Sequence, residues 1–157
     1  MKSRGFTIIE LTVVISLIII VTVATLVFVN PTTNLAKSRD NKRLSDLETL
    51  DRVINEYRID NGAYPDALGI LRTSTSLPAG ATSLQSSSAG WIEENLSVYT
   101  SKLPTDPKNN ATYYYSYKHD ITSYEINAVL EYYVVKSQND GGNDTGKYEI
   151  GNNLTII

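Results

Sequence analysis

The polar and apolar positions divide the chain into three stretches of different period. Residues 11–29 pass without a charged side chain, and only Thr12, Ser16, Thr22 and Thr25 interrupt the aliphatic run. As a helix this stretch measures about 28 Å, close to a bilayer hydrocarbon core of roughly 30 Å, so it predicts a membrane-crossing helix over residues 6–30. Beyond Asn30-Pro31-Thr32-Thr33 the period changes. Leu44, Leu47, Leu50, Ile54 and Tyr57 recur at spacings of three and four, with Lys42, Arg43, Asp46, Glu48, Asp51 and Arg52 filling the other faces. That is an amphipathic helix over residues 31–60, stopped by Asn61-Gly62-Ala63-Tyr64-Pro65. A continuous helix over residues 6–58 would be about 80 Å long, more than one small domain can cover, so its first half must project. Pro31 lacks an N–H and clashes with the carbonyl of Val27, which predicts loosening over residues 27–34, with Thr32, Thr33 or Asn34 able to cap the second segment.

The third stretch, residues 61–157, reads as a globular head. Residues 73–90 hold nine Ser or Thr in eighteen and no charge, the composition of a surface loop. Residues 91–99 read as a short helix, and Leu103-Pro104-Thr105-Asp106-Pro107 as a rigid turn. From Tyr124 onward, Ile126, Ala128, Leu130, Tyr132 and Val134 alternate with Glu125, Asn127 and Glu131, which predicts a long half-buried strand. Residues 111–118 are its hairpin partner across residues 119–123, residues 147–150 a third strand and residues 154–157 an edge piece. The fold class expected is α+β: a long N-terminal helix whose second half packs on a three- or four-stranded antiparallel sheet.

Composition narrows the chemistry. The 157 residues carry 14 Lys+Arg, 17 Asp+Glu, one His and no Cys. A disulfide framework, a thiolate zinc site and a cysteine nucleophile are excluded. His119 falls in the hairpin turn and reads as a solvated surface residue, and there is neither a phosphate loop nor a metal-binding His pair, so no enzyme is expected. Residues 59–157 hold 6 Lys+Arg against 11 Asp+Glu, and phosphate binding needs clustered positive charge, so nucleic acid is not an expected partner. In Asn139-Asp140-Gly141-Gly142-Asn143-Asp144, oxygen donors from Asp140 and Asp144 suit calcium, although the spacing is not that of an EF-hand and a metal-free turn is the other reading. No cofactor is otherwise required.

Glu10 contradicts a plain membrane anchor. An ionised carboxylate within hydrocarbon costs about 2.5–3.5 kcal/mol, less near the interface, so it must reach the headgroups or find a partner. A cut between Gly5 and Phe6 would place a new amine one helical turn away. Lys2 and Arg4 at the membrane edge put the N-terminus on the cytoplasmic side, although Lys37, Arg39, Lys42 and Arg43 follow the run. No signal-peptidase-like site of small residues follows the run, so the segment is retained.

Lys-Ser-Arg-Gly-Phe-Thr-Ile-Ile-Glu-Leu (residues 2–11), followed by the long uncharged run, resembles the leader and helix start of type IV pilins and type II secretion pseudopilins. The resemblance implies a leader over residues 1–5, cleavage after Gly5 by a prepilin peptidase and methylation of the new amine at Phe6. It also implies pairing of Glu10 with the terminal amine of a neighbouring subunit. The partners it implies are further copies of the chain packed through residues 6–58 in a filament core, the inner membrane before assembly, and an assembly platform with its ATPase. Many members carry the helix proline at the position matching Val27, about one turn before Pro31. The reading placed first is a structural subunit of a type IV pilus, an extracellular filament used in adhesion, favoured by the Ser/Thr-rich stretch. The alternative is a major pseudopilin of a type II secretion system, favoured by the Leu-Pro-x-Asp-Pro turn and the Gly-rich loop, since major pseudopilins carry similar stretches and bind calcium there. A monomeric membrane-anchored binding module is the third.

Overall fold

The computed structural model describes residues 5–157, with the side chains of residues 27–29 excepted, so Lys2 and Arg4 of the leader lie outside the described residues. The chain divides into two compact units, one running to Leu35 and the other Ala36–Ile157. Helix α1 covers Ile8–Val29 and α2 covers Pro31–Asn61. The break predicted within residues 27–34 falls on Asn30, whose φ of 41° lies in the left-handed region and ends α1. Pro31 then opens α2, where its missing N–H would have had no intrahelical partner. Asn30 also starts the second helix. Its Oδ1 accepts the Thr32 hydroxyl at 2.9 Å and its carbonyl accepts the Asn34 N–H at 3.2 Å, so the capping role expected of Thr32, Thr33 or Asn34 belongs to Asn30.

In the second unit four strands, β1 (Arg72–Thr73), β2 (Tyr115–His119), β3 (Tyr124–Ala128) and β4 (Tyr148–Gly151), form an antiparallel sheet in the order β1-β2-β3-β4. Tyr117, Ile126 and Ile150 stand abreast across the three longer strands. Period-2 alternation sends Tyr115, Tyr117, Tyr124, Ile126 and Ala128 to one face, where they form a single core with Leu47, Leu50, Val53 and Ile54 of α2. Each aliphatic side chain so buried contributes about 1.5–3 kcal/mol. The tyrosine hydroxyls do not waste this burial: Tyr115 donates to Asp46 at 2.9 Å, and Tyr124 donates to Asp51 and accepts from Asn55. This is the α+β head the patterning predicts.

Several local expectations fail for identifiable reasons. Residues 91–99 are not helical; Trp91, Ile92 and Leu96 are each fully buried, and the Trp91 indole donates to the Pro104 carbonyl at 2.8 Å, so the segment is shaped by three apolar plugs entering one core. The long strand stops at Ala128. Beyond it the backbone amides of Glu131, Tyr132 and Tyr133 all donate to the Asp40 carboxylate at 2.7–3.1 Å, a side chain of α2 standing where a strand partner would be. The chain then makes a single helical turn, α3 (Val134–Ser137). Glu125 and Asn127, expected toward solvent, are buried on the second face of the sheet, where the chain after β4 returns to cover Glu125. Residues 154–157 belong to that cover and not to an edge strand: Lys118 Nζ donates to the Ile156 carbonyl at 2.9 Å, and the Ile156 and Ile157 amides donate to Glu125 Oε2 at 2.7 and 3.0 Å. The sheet's edges are β4 and β1, the latter reaching into the start of the stretch read as loop. His119 is buried at the end of β2, stacked on Tyr117, with its ring nitrogens 2.9 and 3.1 Å from the carbonyls of Asp120 and Asp66.

The largest departure is on α2, where residues assigned to a solvated face are interior. Arg43 is fully buried and donates to three carboxylates: Asp106 at 2.6 and 3.0 Å, Asp40 at 2.8 Å and Glu131 at 2.7 Å. Burial opposes its charge, yet the bonds from Asp106, Glu131 and Asp40 prevail and hold the guanidinium's pKa above its ordinary value. Glu131 is held well below the carboxylate range by Arg39 first, against the cost of burial, with Lys108 and Arg43 adding to it. The sequence turn at Leu103–Pro107 thus delivers Asp106 to the helix.

Removing one member strands the others' charges. Arg43→Ala is expected to destabilise the head by about 3–5 kcal/mol, the usual cost of leaving buried carboxylates without their cation. Urea unfolding of the detergent-solubilised chain, followed by the emission of the sole tryptophan Trp91, measures it; a loss below about 1 kcal/mol, typical of a surface pair, would show the network to be dispensable.

Candidate functional site

Two places carry the residues singled out from the sequence. The first is the start of α1. Thr7 is its N-cap: the Thr7 hydroxyl accepts the Glu10 N–H at 3.2 Å, while Glu10 Oε2 accepts the Thr7 N–H at 2.9 Å and its hydroxyl at 2.7 Å. This reciprocal arrangement satisfies otherwise orphaned amides at the helix end and holds the carboxylate in a hydrogen-bonded position. Glu10 therefore has a partner within its own chain. The signal was present as Thr7-x-x-Glu10, the spacing of a capping box. Gly5 and Phe6 precede the helix, and the Phe6 side chain is 81% exposed.

The window Ile8–Leu26 is long and apolar enough to cross a membrane, and none of it is buried. Its polar side chains are turned back on the backbone: Thr12 donates to the Ile9 carbonyl, Ser16 to Thr12, Thr22 to Ile18 and Thr25 to Val21, at 2.7–3.0 Å. Hydroxyls bonded in this way present methyl and methylene surface outward, which suits hydrocarbon or a neighbouring helix equally.

The second place is the Gly-rich loop and the sheet face beneath it. Asp140 accepts the Gly142 N–H and the Glu149 N–H, each at 2.9 Å; Asp144 accepts the Gly146 N–H at 2.9 Å and pairs with Lys147 at 3.1 Å. Both carboxylates thus serve donors of their own loop and of the start of β4. Among the described residues no group of three or more His, Cys, Asp or Glu could hold a metal ion. Gly142 lies against the Glu149 carboxylate, so that a Cβ there would stand 1.7 Å from Oε2 and displace that side chain.

Glu149 and Glu125 are the residues the periodicity missed. Both are buried on the second face of the sheet, and each keeps one buried oxygen, Oε1, without a hydrogen-bond partner, as do both amide atoms of the neighbouring Asn127. Glu149 faces Asn127 directly across the β3–β4 ladder, and Glu125 lies two residues along the same strand. Burial, followed by the adjacent Glu125 carboxyl and repulsion from Asp140, pushes the Glu149 carboxyl up to about 7, against the pull of the Asp144 amide. The chain after β4 that closes over Glu125 lies about 30 residues away, and alternation along β3 carries no trace of it.

Because the folded state holds the Glu149 proton more tightly than the unfolded chain, that residue's contribution is complete below about pH 4.5 and is lost as pH rises through about 7. Native protein is expected to lose on the order of 2 kcal/mol between pH 5 and pH 8, and Glu149→Gln to flatten that slope. Urea midpoints across the range test it, and an unchanged slope in the variant would assign the pH dependence elsewhere.

Comparison with known proteins follows the head and its helix. The sequence model of the family described as type II secretion system (T2SS), protein G matches residues 30–147. A type II secretion system core protein G of Escherichia coli K12 is 34% identical over 109 residues, 69% of each chain. That of Klebsiella pneumoniae is 32% identical over 106 residues, 68% of this chain and 69% of its own. The Vibrio cholerae protein of the same name is 28% identical over 115 residues, 73% and 72% of the two chains. No solved structure matches. Coverage by the family of the second helix, the Leu-Pro-x-Asp-Pro turn that supplies Asp106, and the sheet up to the Gly-rich loop makes this chain a member of the type II secretion system protein G family.

Proposed function

We propose that the chain is the major pseudopilin of a type II secretion system, a non-catalytic subunit that polymerises into a periplasmic rod. The observation that supports this most is the family match across residues 30–147 in a chain whose preceding helix is apolar on every side. The pilus reading was placed first on the Ser/Thr-rich stretch alone, and the family match reverses that order. Part of the stretch is interior: Ser74 is buried, accepts the Tyr115 amide at 2.9 Å and donates to Asn109 at 2.7 Å.

In this reading α1 has two environments in sequence, lipid before assembly and sister helices after it. Cleavage after Gly5 would leave a free amine on Phe6, next to the residue that Glu10 already holds. While the subunit is alone, Thr7 satisfies the Glu10 carboxylate, which lowers the cost of carrying it at the membrane edge. On assembly the amine of a neighbouring subunit replaces a neutral partner with a charged one, and a subunit docked out of register leaves a desolvated charge unpaired. Registry then follows from electrostatics, while the apolar surface supplies contact area. The secretion machinery and prepilin peptidase belong to this proposal as the agents of processing and assembly, and no cofactor enters it.

Glutamine suits the third position of a capping box as well as glutamate does, so Glu10→Gln separates capping from charge pairing. The variant is expected to insert in the membrane in native amounts but to lower the yield of sheared rods by about a hundredfold, the equivalent of an unpaired charge at roughly 3 kcal/mol. Immunoblots of sheared and membrane fractions measure both quantities. Native rod yield from Glu10→Gln would leave capping as the residue's role and remove the registry mechanism.

A further inference from the structure

The second unit is electrically polarised along α2. Around residues 37–43 it gathers Lys37, Arg39, Lys42, Arg43, Lys108 and Lys136, against Asp40, Asp46, Asp106 and Glu131. All four carboxylates are engaged internally: Asp40 by Arg43 and three backbone amides, Asp106 by Arg43, Glu131 by Arg39, Arg43 and Lys108, and Asp46 by Lys42 and the Tyr115 hydroxyl. Lys37 and Lys136 instead stand over aromatic rings, Lys37 Nζ 4.5 Å from the centroid of Tyr132 and Lys136 Nζ 5.8 Å from that of Tyr133. Among the described residues neither is within ion-pair distance of a carboxylate. Beside them Tyr132, Val134 and Val135 are exposed, Val135 by 67%. About 30 Å farther along the helix, around Arg58, the balance reverses: Arg52, Arg58 and Arg72 stand with Glu56, Asp60, Asp66, Glu93, Glu94 and Asp120.

The basic, aromatic end is also the end tethered to α1. Eleven residues carry the chain from Leu26, where the apolar window ends, to Lys37. They reach about 16 Å as helix and at most about 40 Å fully extended, so the end cannot stray far from a bilayer that holds α1. Tyrosines with aliphatic neighbours and lysines at the rim have the composition of an interfacial surface, the rings at headgroup level and the ammonium groups on phosphates.

We propose that, while the subunit is anchored and unassembled, the face formed by Lys37, Tyr132, Tyr133, Val134, Val135 and Lys136 docks on anionic phospholipid headgroups. The proposal rests on membrane anchoring through α1. Docking holds the head against the bilayer in one orientation before assembly, and incorporation into a rod must release it.

The chain has no cysteine, so a fluorophore on Val135→Cys reports this face alone. One on Ile121→Cys, 74% exposed beside the Arg58 end, reports the opposite one. The full chain is placed at one copy per nanodisc of phosphatidylglycerol with phosphatidylcholine, or of phosphatidylcholine alone, and Trp91 emission verifies the fold of each variant. The expected result is protection of the position-135 label from an aqueous quencher severalfold beyond that at position 121. That protection should fall with phosphatidylcholine alone and in 1 M salt. Lys37→Gln and Lys136→Gln should each lower the docked-to-free ratio about fivefold. Equal quenching at the two positions in anionic discs overturns the proposal. So does protection that arises only with several copies per disc, which would assign the face to subunit contact. Release of the chain from vesicles by alkaline carbonate would overturn the anchoring itself and this docking with it.

Discussion

The head depends on one interior cation. Arg43 reaches from α2 to Asp106 in the proline-bounded turn and to Glu131 beyond the sheet, while Asp40, one helical turn before it, binds Arg43 and gathers three consecutive backbone amides. Without that cation Asp40 and Asp106 would be left buried with no ion-pair partner, and Glu131 would keep only Arg39 and Lys108 at the rim. The network therefore does what hydrophobic contacts alone do poorly: it fixes the position of two irregular segments along the helix. It also ends β3, because amides bonded to a carboxylate of α2 are no longer available to a neighbouring strand. The apolar core around Leu47, Leu50 and Ile126 supplies most of the favourable energy, and the ions decide its register.

How much of this could be read from the residues follows from the range of each interaction. Local periodicity located α1, α2, the hairpin of β2 and β3, and β4, because burial on one side of an element imprints its own repeat. It placed Arg43 and Asp46 in solvent because a charge is assigned outward unless its partners are visible, and those partners lie up to 88 residues away. Glu125 and Asn127 failed in the same way, since an alternating strand looks half-exposed whether or not a later segment covers it. Tyr132 and Val134 continued the alternation in sequence, yet Asp40 took the amides of Glu131, Tyr132 and Tyr133 out of the ladder. Of the site residues, the position of Glu10 was legible and its bond to Thr7 was equally so, as a spacing of three. Asp140 and Asp144 were legible as loop carboxylates, but the groups that satisfy them are backbone amides, to which composition is blind.

The two polar features of the molecule answer different solvents. In α1 each hydroxyl is folded back onto the preceding turn and the one carboxylate is held at the helix start, so little remains that distinguishes lipid from packed protein. Such a helix has no strong preference between the two, and a directional process acting on it needs its bias from elsewhere. In the head, by contrast, Glu125 and Glu149 are enclosed with incomplete hydrogen bonding, a local cost tolerated by an otherwise well-packed fold.

The sheet's borders bear on crowding. β1 is two residues long and β4 four, and β4 ends at Gly151, whose φ of 148° and close approach to the Tyr124 carbonyl bend the chain away. Abbreviated borders of this kind give an adjacent copy almost no backbone template to extend. Heads at high local concentration then have little backbone edge through which to zip into cross-β aggregates.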